Sequence, residues 1–196
     1  MIAGLILAAG ESSRMGTDKA LLTYRGRTFL EHILATLHEA GLKDVKVILG
    51  HHADEIQRGT KLSGTEVIIN QDYRRGQTSS LQAGLRALDR PNVSAVLLCL
   101  VDHPAVSTQV IGKLVAAFEQ SGAPVVIPTN QGVRGHPVLF SRVLFAELLA
   151  LSPEEGANTV VRRYRNSTQF VEVDDPGILV DVDDPGSYRR LNEKEN

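Results

Sequence analysis

The chain has 196 residues, 42% of them hydrophobic and 22% charged, with a net charge of −2. This length suits one domain with a sizeable core, and the balanced charge, with no basic face, excludes nucleic-acid binding driven by bulk electrostatics. No segment approaches the roughly 18 apolar residues of a membrane span, and the N-terminus lacks the basic and long apolar stretches of a signal peptide, so a cytoplasmic protein with neither a nucleic-acid nor a membrane partner is expected.

The first apolar run, "IAGLILA", predicts a strand, and "VKVILG", "EVIIN", "SAVLLCLV" and "PVVIP" predict others further along. Near-continuous Val, Ile and Leu runs of this length suit parallel strands covered on both faces. Between them, Thr28 to Glu31 reads as a capping box, followed by Leu30, Ile33, Leu34 and Leu37 at helical spacing and a stop at Gly41. The sequence "GHHADEI" reads as a strand exit into a helix, with the adjacent His51 and His52 expected to point apart rather than to share a metal. Cys99, the single cysteine, falls inside "AVLLCLV" and is expected to be buried; alone, it excludes an internal disulfide framework and a cysteine-based zinc centre. Ser107 opens a helix ending near Gly122, and Ser141 opens a shorter one. "RGHPVLFS" predicts a short strand, and "TQFVEVDD" a late strand, with an antiparallel setting as one option. Strand–helix alternation predicts an α/β fold with helices on both faces of a mostly parallel, mixed sheet.

Ligands in such sheets bind beyond the carboxyl ends of the strands. "AAGESSRMGTDK" leaves the first strand at that edge. Ala8, Ala9 and Gly10 let backbone approach a ligand, Gly10 and Gly16 permit unusual turns, and exposed N–H groups can cradle phosphate oxygens. Arg14 offers a planar fork for phosphate and Lys19 a compact cation, so the loop reads as a triphosphate site. It is not a Walker A loop, because five residues lie between Gly10 and Gly16 and no Lys-Ser/Thr pair follows; nor is it a G-x-G-x-x-G fingerprint.

The loop resembles the L-A-[AG]-G-x-S-x-R-[MF]-G-x-x-K signature of nucleotidyltransferases, matching at Leu7, Ala8, Ala9, Gly10, Ser12, Arg14, Met15, Gly16 and Lys19. In its closest form the resemblance is to the molybdenum cofactor cytidylyltransferases of the molybdopterin nucleotidyltransferase group. It implies a three-layer α/β/α, Rossmann-like, glycosyltransferase-A-like fold and one NTP-transferase domain over residues 1–196. It also implies CTP as substrate, Mg²⁺ or Mn²⁺ as cofactor, and a phosphate-bearing small-molecule acceptor, with transient contact to a molybdoenzyme or its chaperone.

Other segments extend the resemblance. "NQDYRRGQTSSLQAGL" matches at Asn70, Gly76, Ser79, Ser80 and Gly84, which implies that Asn70, Ser79 and Ser80 bind nucleotide, although the serines also suit a helix cap. "LLCLVDHP" ends on Asp102, where the family holds a metal; His103 stands where Met is common. "ILVDVDDPGSY" matches at Asp181, Asp183, Pro185 and Tyr188, which implies Asp183 as the second metal carboxylate and Asp181 as support. Helix capping by Asp183 or Asp184 is the alternative. Gly135, His136 and Pro137 match the segment that faces the acceptor, while Gly156 and Ala157 fit weakly. Arg14, Lys19 and Asp102 are the expected catalytic residues. The implied reaction is attack by a phosphate monoester on the α-phosphorus of an NTP; a non-catalytic module that hands on cofactor is the competing class.

Overall fold

The computed structural model describes residues 1–12, 15–62 and 64–193. In chain order the elements are β1 (Ile2–Ala8), β2 (Thr23–Tyr24), β3 (Arg27–Thr28), α1 (Phe29–Glu39), β4 (Val45–Leu49), α2 (Ala53–Gly59), β5 (Glu66–Ile69), α3 (Gln77–Leu88) and β6 (Ala95–Leu100). They continue with α4 (Thr108–Ser121), β7 (Val125–Asn130), β8 (Val133–Arg134), β9 (Val138–Ser141), α5 (Phe145–Leu149), α6 (Ala157–Arg163), β10 (Thr168–Glu172) and α7 (Pro185–Glu193). No helix among the described residues is long and apolar enough to cross a membrane.

The main sheet runs β10-β7-β9-β6-β1-β4-β5, with β8 paired to β7. β1 lies parallel to both β4 and β6, and β4 parallel to β5. β9 inserts antiparallel between β6 and β7. The late strand β10 runs parallel to β7, pairing Thr168 with Val125 through Glu172 with Thr129, so the antiparallel option for it is corrected. A helix intervenes between β7 and β10 along the chain, which is the crossover a parallel neighbour requires.

Strand alternation divides the core into two layers. Ile6 and Ala8 of β1 pack with Ile33, Leu37, Ile56 and Leu114 from α1, α2 and α4. Ala3, Leu5 and Leu7 face Leu81, Leu85, Phe145 and Val160 from α3, α5 and α6. The inner strands β1, β4, β6 and β7 are buried along nearly their whole length, which is why each reads as a continuous apolar run, whereas β5 and β10 at the two sheet edges stay partly exposed. α7 instead closes a smaller cluster of Tyr24, Phe29, Val182 and Leu191 beside the β2–β3 hairpin.

Local signals at helix ends work as the sequence suggests. Glu31 N–H donates to Thr28 Oγ1 at 3.2 Å, and Thr28 N–H donates to Glu31 Oε2 at 2.9 Å, completing the capping box. Ser107 Oγ accepts from Val110 N–H at the start of α4, and Gly122 ends that helix at φ 60°. Ser141 behaves differently: a 3₁₀ turn over Arg142–Leu144 precedes α5, and the serine side chain makes no capping bond.

Candidate active site

The chain runs outward from β1 to β4 and β5, then returns to β6 on the other side of β1, which makes the carboxyl ends of β1 and β6 a topological switch point. A cleft of about 300 Å³ opens there. Its lining brings together Leu7, Ala8, Ala9, Gly10, Ser12, Lys19, Ser80, Asp102 and Asp183. A Cβ on Gly10 would meet nothing within 4 Å, so the backbone there is open to a ligand. The turn beyond is made by Ser12 at φ 47° and Gly16 at φ 68°; Gly10, contrary to the sequence expectation, does not use the left-handed region. Ser12 ties the loop together, its carbonyl accepting from Met15 N–H at 2.9 Å and its hydroxyl from Lys19 N–H at 3.1 Å. Ser13 and Arg14 lie outside the described residues, and so does the expected catalytic and phosphate role of Arg14.

Lys19 Nζ donates to Asp183 Oδ1 at 2.5 Å and to Asp102 Oδ2 at 3.1 Å. Burial works against the charged ammonium, but the two carboxylates outweigh it and hold Lys19 above the ordinary lysine range. Two carboxylates from distant segments thus converge on one cationic position. Val182 N–H donates to Asp102 O at 2.9 Å, fixing the segment around Asp183 against the end of β6. The capping alternative is resolved by division of labour: Asp184 Oδ1 accepts from Ser187 N–H at 2.7 Å at the start of α7, while Asp183 faces Lys19.

The donor set fits a divalent cation. Asp102, Asp181 and Asp183 supply hard carboxylate oxygens, and Asp102 Oδ1 is buried with no hydrogen-bond partner. The carboxyl of Asp181 is pushed above its ordinary value by burial and by the neighbouring Asp102 charge. Asp102, His103 and Asp181 each place one donor atom within 4.8 Å of the others.

Two expected site segments lie elsewhere. Asn70 and Ser79 line a separate polar hollow with Arg75 and Arg86. They reach the cleft lining through Ser80 and Gly76: Asn70 Nδ2 donates to Ser79 Oγ at 2.9 Å and to Ser80 Oγ at 3.0 Å. Ser79 also donates to Gly76 O, so its local role is to shape the first turn of α3. His136 and Pro137 line a small, mostly apolar cavity behind His103, whose ring lies 4.5 Å from that of His136. Burial and His103 pull the His136 pKa down to about 4. A Cβ on Gly135 would collide with Ile178 O, and His136 N–H donates to that same oxygen at 3.0 Å. This segment packs against the Pro176–Leu179 turn.

Sequence reasoning missed Asp18, Tyr73 and Gln77, which also line the cleft. Asp18 is buried and pairs with His52 Nδ1 at 2.9 Å. His51 and His52 do not point apart: their rings lie 3.7 Å from each other, because His52 takes the left-handed conformation at φ 48° before α2.

Residues 4–168 match the model of the MobA-like NTP transferase domain. The chain belongs to this family. As a member of a nucleotidyltransferase family, it is similar over most of its length to proteins with several names. It is 30% identical to nicotine blue oxidoreductase of Paenarthrobacter nicotinovorans, covering 97% of this chain and 96% of that protein. It is 24% identical to molybdenum cofactor cytidylyltransferase of Escherichia coli (97% and 95%), and 30% identical to a probable molybdenum cofactor guanylyltransferase of Opitutus terrae (87% and 76%). The crystal structure of Rv0371c from Mycobacterium tuberculosis superposes with a TM-score of 0.88 at 33% identity, covering 98% and 97% of the two chains. A manganese complex of that protein gives 0.82 at 30% identity, covering 98% of each chain. In this member of the MobA-like family Gly10, Ser12, Lys19, Asp102 and Asp183 line one cleft.

Proposed function

We propose that this chain transfers a cytidylyl group from CTP to the terminal phosphate of molybdopterin cofactor, releasing pyrophosphate. The observation that carries the reading is Lys19 held between Asp102 and Asp183 at the mouth of the β1–β6 cleft. An acceptor phosphate oxygen attacks the α-phosphorus, the bond to the bridging oxygen breaks, and its electron pair leaves with pyrophosphate. A phosphate monoester is largely ionised at neutral pH, so the attack requires no general base from the protein. Catalysis is then positioning and charge neutralisation.

Loop backbone from Ala8 to Ser12 would hold the phosphates, with Lys19 and Arg14 neutralising charge that builds on the leaving group. Lys19 can turn from the carboxylates to the phosphates, since both offer it oxygen acceptors. Asp102 and Asp183 would hold Mg²⁺ or Mn²⁺, which when bound supplies Lewis-acid neutralisation of the phosphate oxygens. Asn70, Ser79 and Ser80 would support the nucleotide, with Ser80 alone of the three lining the cleft. Gly135, His136 and Pro137 would shape the acceptor side from beneath His103. The product would pass through transient contact with a molybdoenzyme or its chaperone.

A pyrophosphate-release screen tests this, crossing CTP, GTP, ATP and UTP with molybdopterin and sugar phosphates, with and without divalent metal. CTP- and molybdopterin-dependent release is expected. Release with another acceptor moves the assignment to a different phosphate monoester, and nucleotide binding without release makes the chain a cofactor-handing module.

A further inference from the structure

The two carboxylate oxygens of Asp102 are differently employed. Oδ2 faces the cleft and accepts from Lys19 at 3.1 Å. Oδ1 is shut off from solvent, has no hydrogen-bond partner, and lies 4.0 Å from His103 Nε2, beyond hydrogen-bond reach. A buried carboxylate oxygen with nothing to accept from is costly, so the arrangement calls for a cation there. Asp181 completes the group, each of the three residues offering one donor atom within 4.8 Å of the other two. Donors on opposite sides of one ion stand roughly 4 Å apart, twice a bond of about 2.0–2.2 Å, so a small closure brings all three onto it.

The surroundings fix two of these ligands. Val182 N–H donates to Asp102 O at 2.9 Å, which keeps residue 181 beside the end of β6. The His103 ring is 88% buried and packs against that of His136, which limits its rotation. Among the described residues, the other trio of this kind, Asp18, His52 and Glu55, has already satisfied its carboxylate–imidazole contact at 2.9 Å.

We propose that Asp102, His103 and Asp181 form a second divalent-cation site, on the side of Asp102 turned from Lys19, and that its imidazole nitrogen selects manganese and related transition metals over magnesium. Magnesium favours all-oxygen coordination and keeps its waters, whereas a mixed nitrogen and oxygen site is open to the first-row transition ions, with manganese the weakest of that series and iron, nickel, copper and zinc tighter. The inference rests on Asp102 being a cation ligand, as in the function proposed above, and adds a second ion to it.

The test is pulsed EPR of the full chain, labelled with ¹⁵N-histidine and loaded with MnCl₂ alone, without nucleotide. Wild type is expected to give a ¹⁵N coupling to bound manganese that His103→Gln abolishes and His52→Gln leaves intact. Asp181→Asn, at an exposed position that folding tolerates, should weaken the coupled manganese by about tenfold or more. Manganese bound without histidine coupling, or coupling lost in His52→Gln instead, overturns the second site and leaves the Asp102–Asp183 reading standing. No manganese bound at all overturns the second site, and manganese still absent after CTP is added to the same sample overturns the Asp102–Asp183 reading as well.

Discussion

The Lys19 ammonium stands 2.5 Å from the carboxylate of Asp183, 164 positions away in sequence, and reaches Asp102 from the same place. The contact joins the loop after β1 to the segment before α7 across the mouth of the cleft. Lys19→Ala removes the cation that offsets both carboxylates and the charge proposed to meet the phosphates. Loss of one charge-assisted donor in such a site costs on the order of 10²–10³ in kcat. Turnover at saturating CTP should fall by that amount while circular dichroism stays native; wild-type turnover would remove Lys19 from the mechanism.

Asp102 and Asp183 should respond differently to substitution. Asp102 carries a buried oxygen at the end of a central strand, whereas the Asp183 side chain is 46% exposed beside the start of α7. Water can replace the oxygen of Asp183 more readily than those of Asp102, whose side chain is 26% exposed and whose Oδ1 is buried. A chelator should abolish pyrophosphate release, Asp102→Ala should be inactive at every metal concentration, and Asp183→Asn should recover as Mg²⁺ or Mn²⁺ is raised. A metal titration of all three proteins reads this directly, and full activity in chelator would contradict it.

Much of this architecture was legible because buried parallel strands leave long apolar runs and caps leave local signatures. The late strand's direction was not, since the pattern from Thr168 to Glu172 is the same whichever way the strand pairs. The β2–β3 hairpin escaped notice because its two-residue turn uses Arg25 at φ 49° and Gly26 at φ 75° rather than an Asn-Gly pair. The carboxylates were legible as motifs, but their meeting on Lys19 is a product of topology. The stacking of His51 on His52 depended on a left-handed backbone at a non-glycine residue, for which the sequence carries no reliable signal.

Glu31 gives a test of local stability. Burial opposes its charge, but N–H donors from Thr28 and Lys61, at 2.9 and 2.8 Å, hold its carboxyl below the usual range. A depressed folded-state pKa contributes stability above the unfolded value near 4.5, and that contribution is lost as pH falls through the folded value. Glu31→Gln should therefore cost about 1 kcal/mol at pH 7 and progressively less in acid. Urea unfolding of both proteins from pH 7 to pH 3 should show the curves converging, and a constant gap would sink the explanation.

Cys99 reports on core integrity. It lies in β6 under α1 and α4, and burial pushes its thiol pKa up to about 12. The thiolate is the reactive form, so iodoacetamide should leave the native protein unmodified for hours at pH 8 and label it fully in denaturant. Rapid native labelling would mean that β6, which carries Asp102, opens far more readily than its packing implies.

Base choice is tested at Ala9. Ala9 lines the cleft next to Gly10, is 5% exposed, and accepts at its carbonyl from His51 N–H at 3.2 Å, so the backbone there is anchored. A methyl on an anchored backbone cannot retreat from a larger base. One methyl of misfit in a packed site is worth about 1–3 kcal/mol, or roughly 10–200-fold. If the base lies against this wall, CTP should outcompete GTP by a factor in that range, and Ala9→Gly should narrow the ratio chiefly by improving kcat/KM for GTP. Competition assays with both nucleotides on the two proteins measure the ratio, and equal use of GTP by the wild type would refute the cytidylyl assignment while leaving nucleotidyl transfer intact.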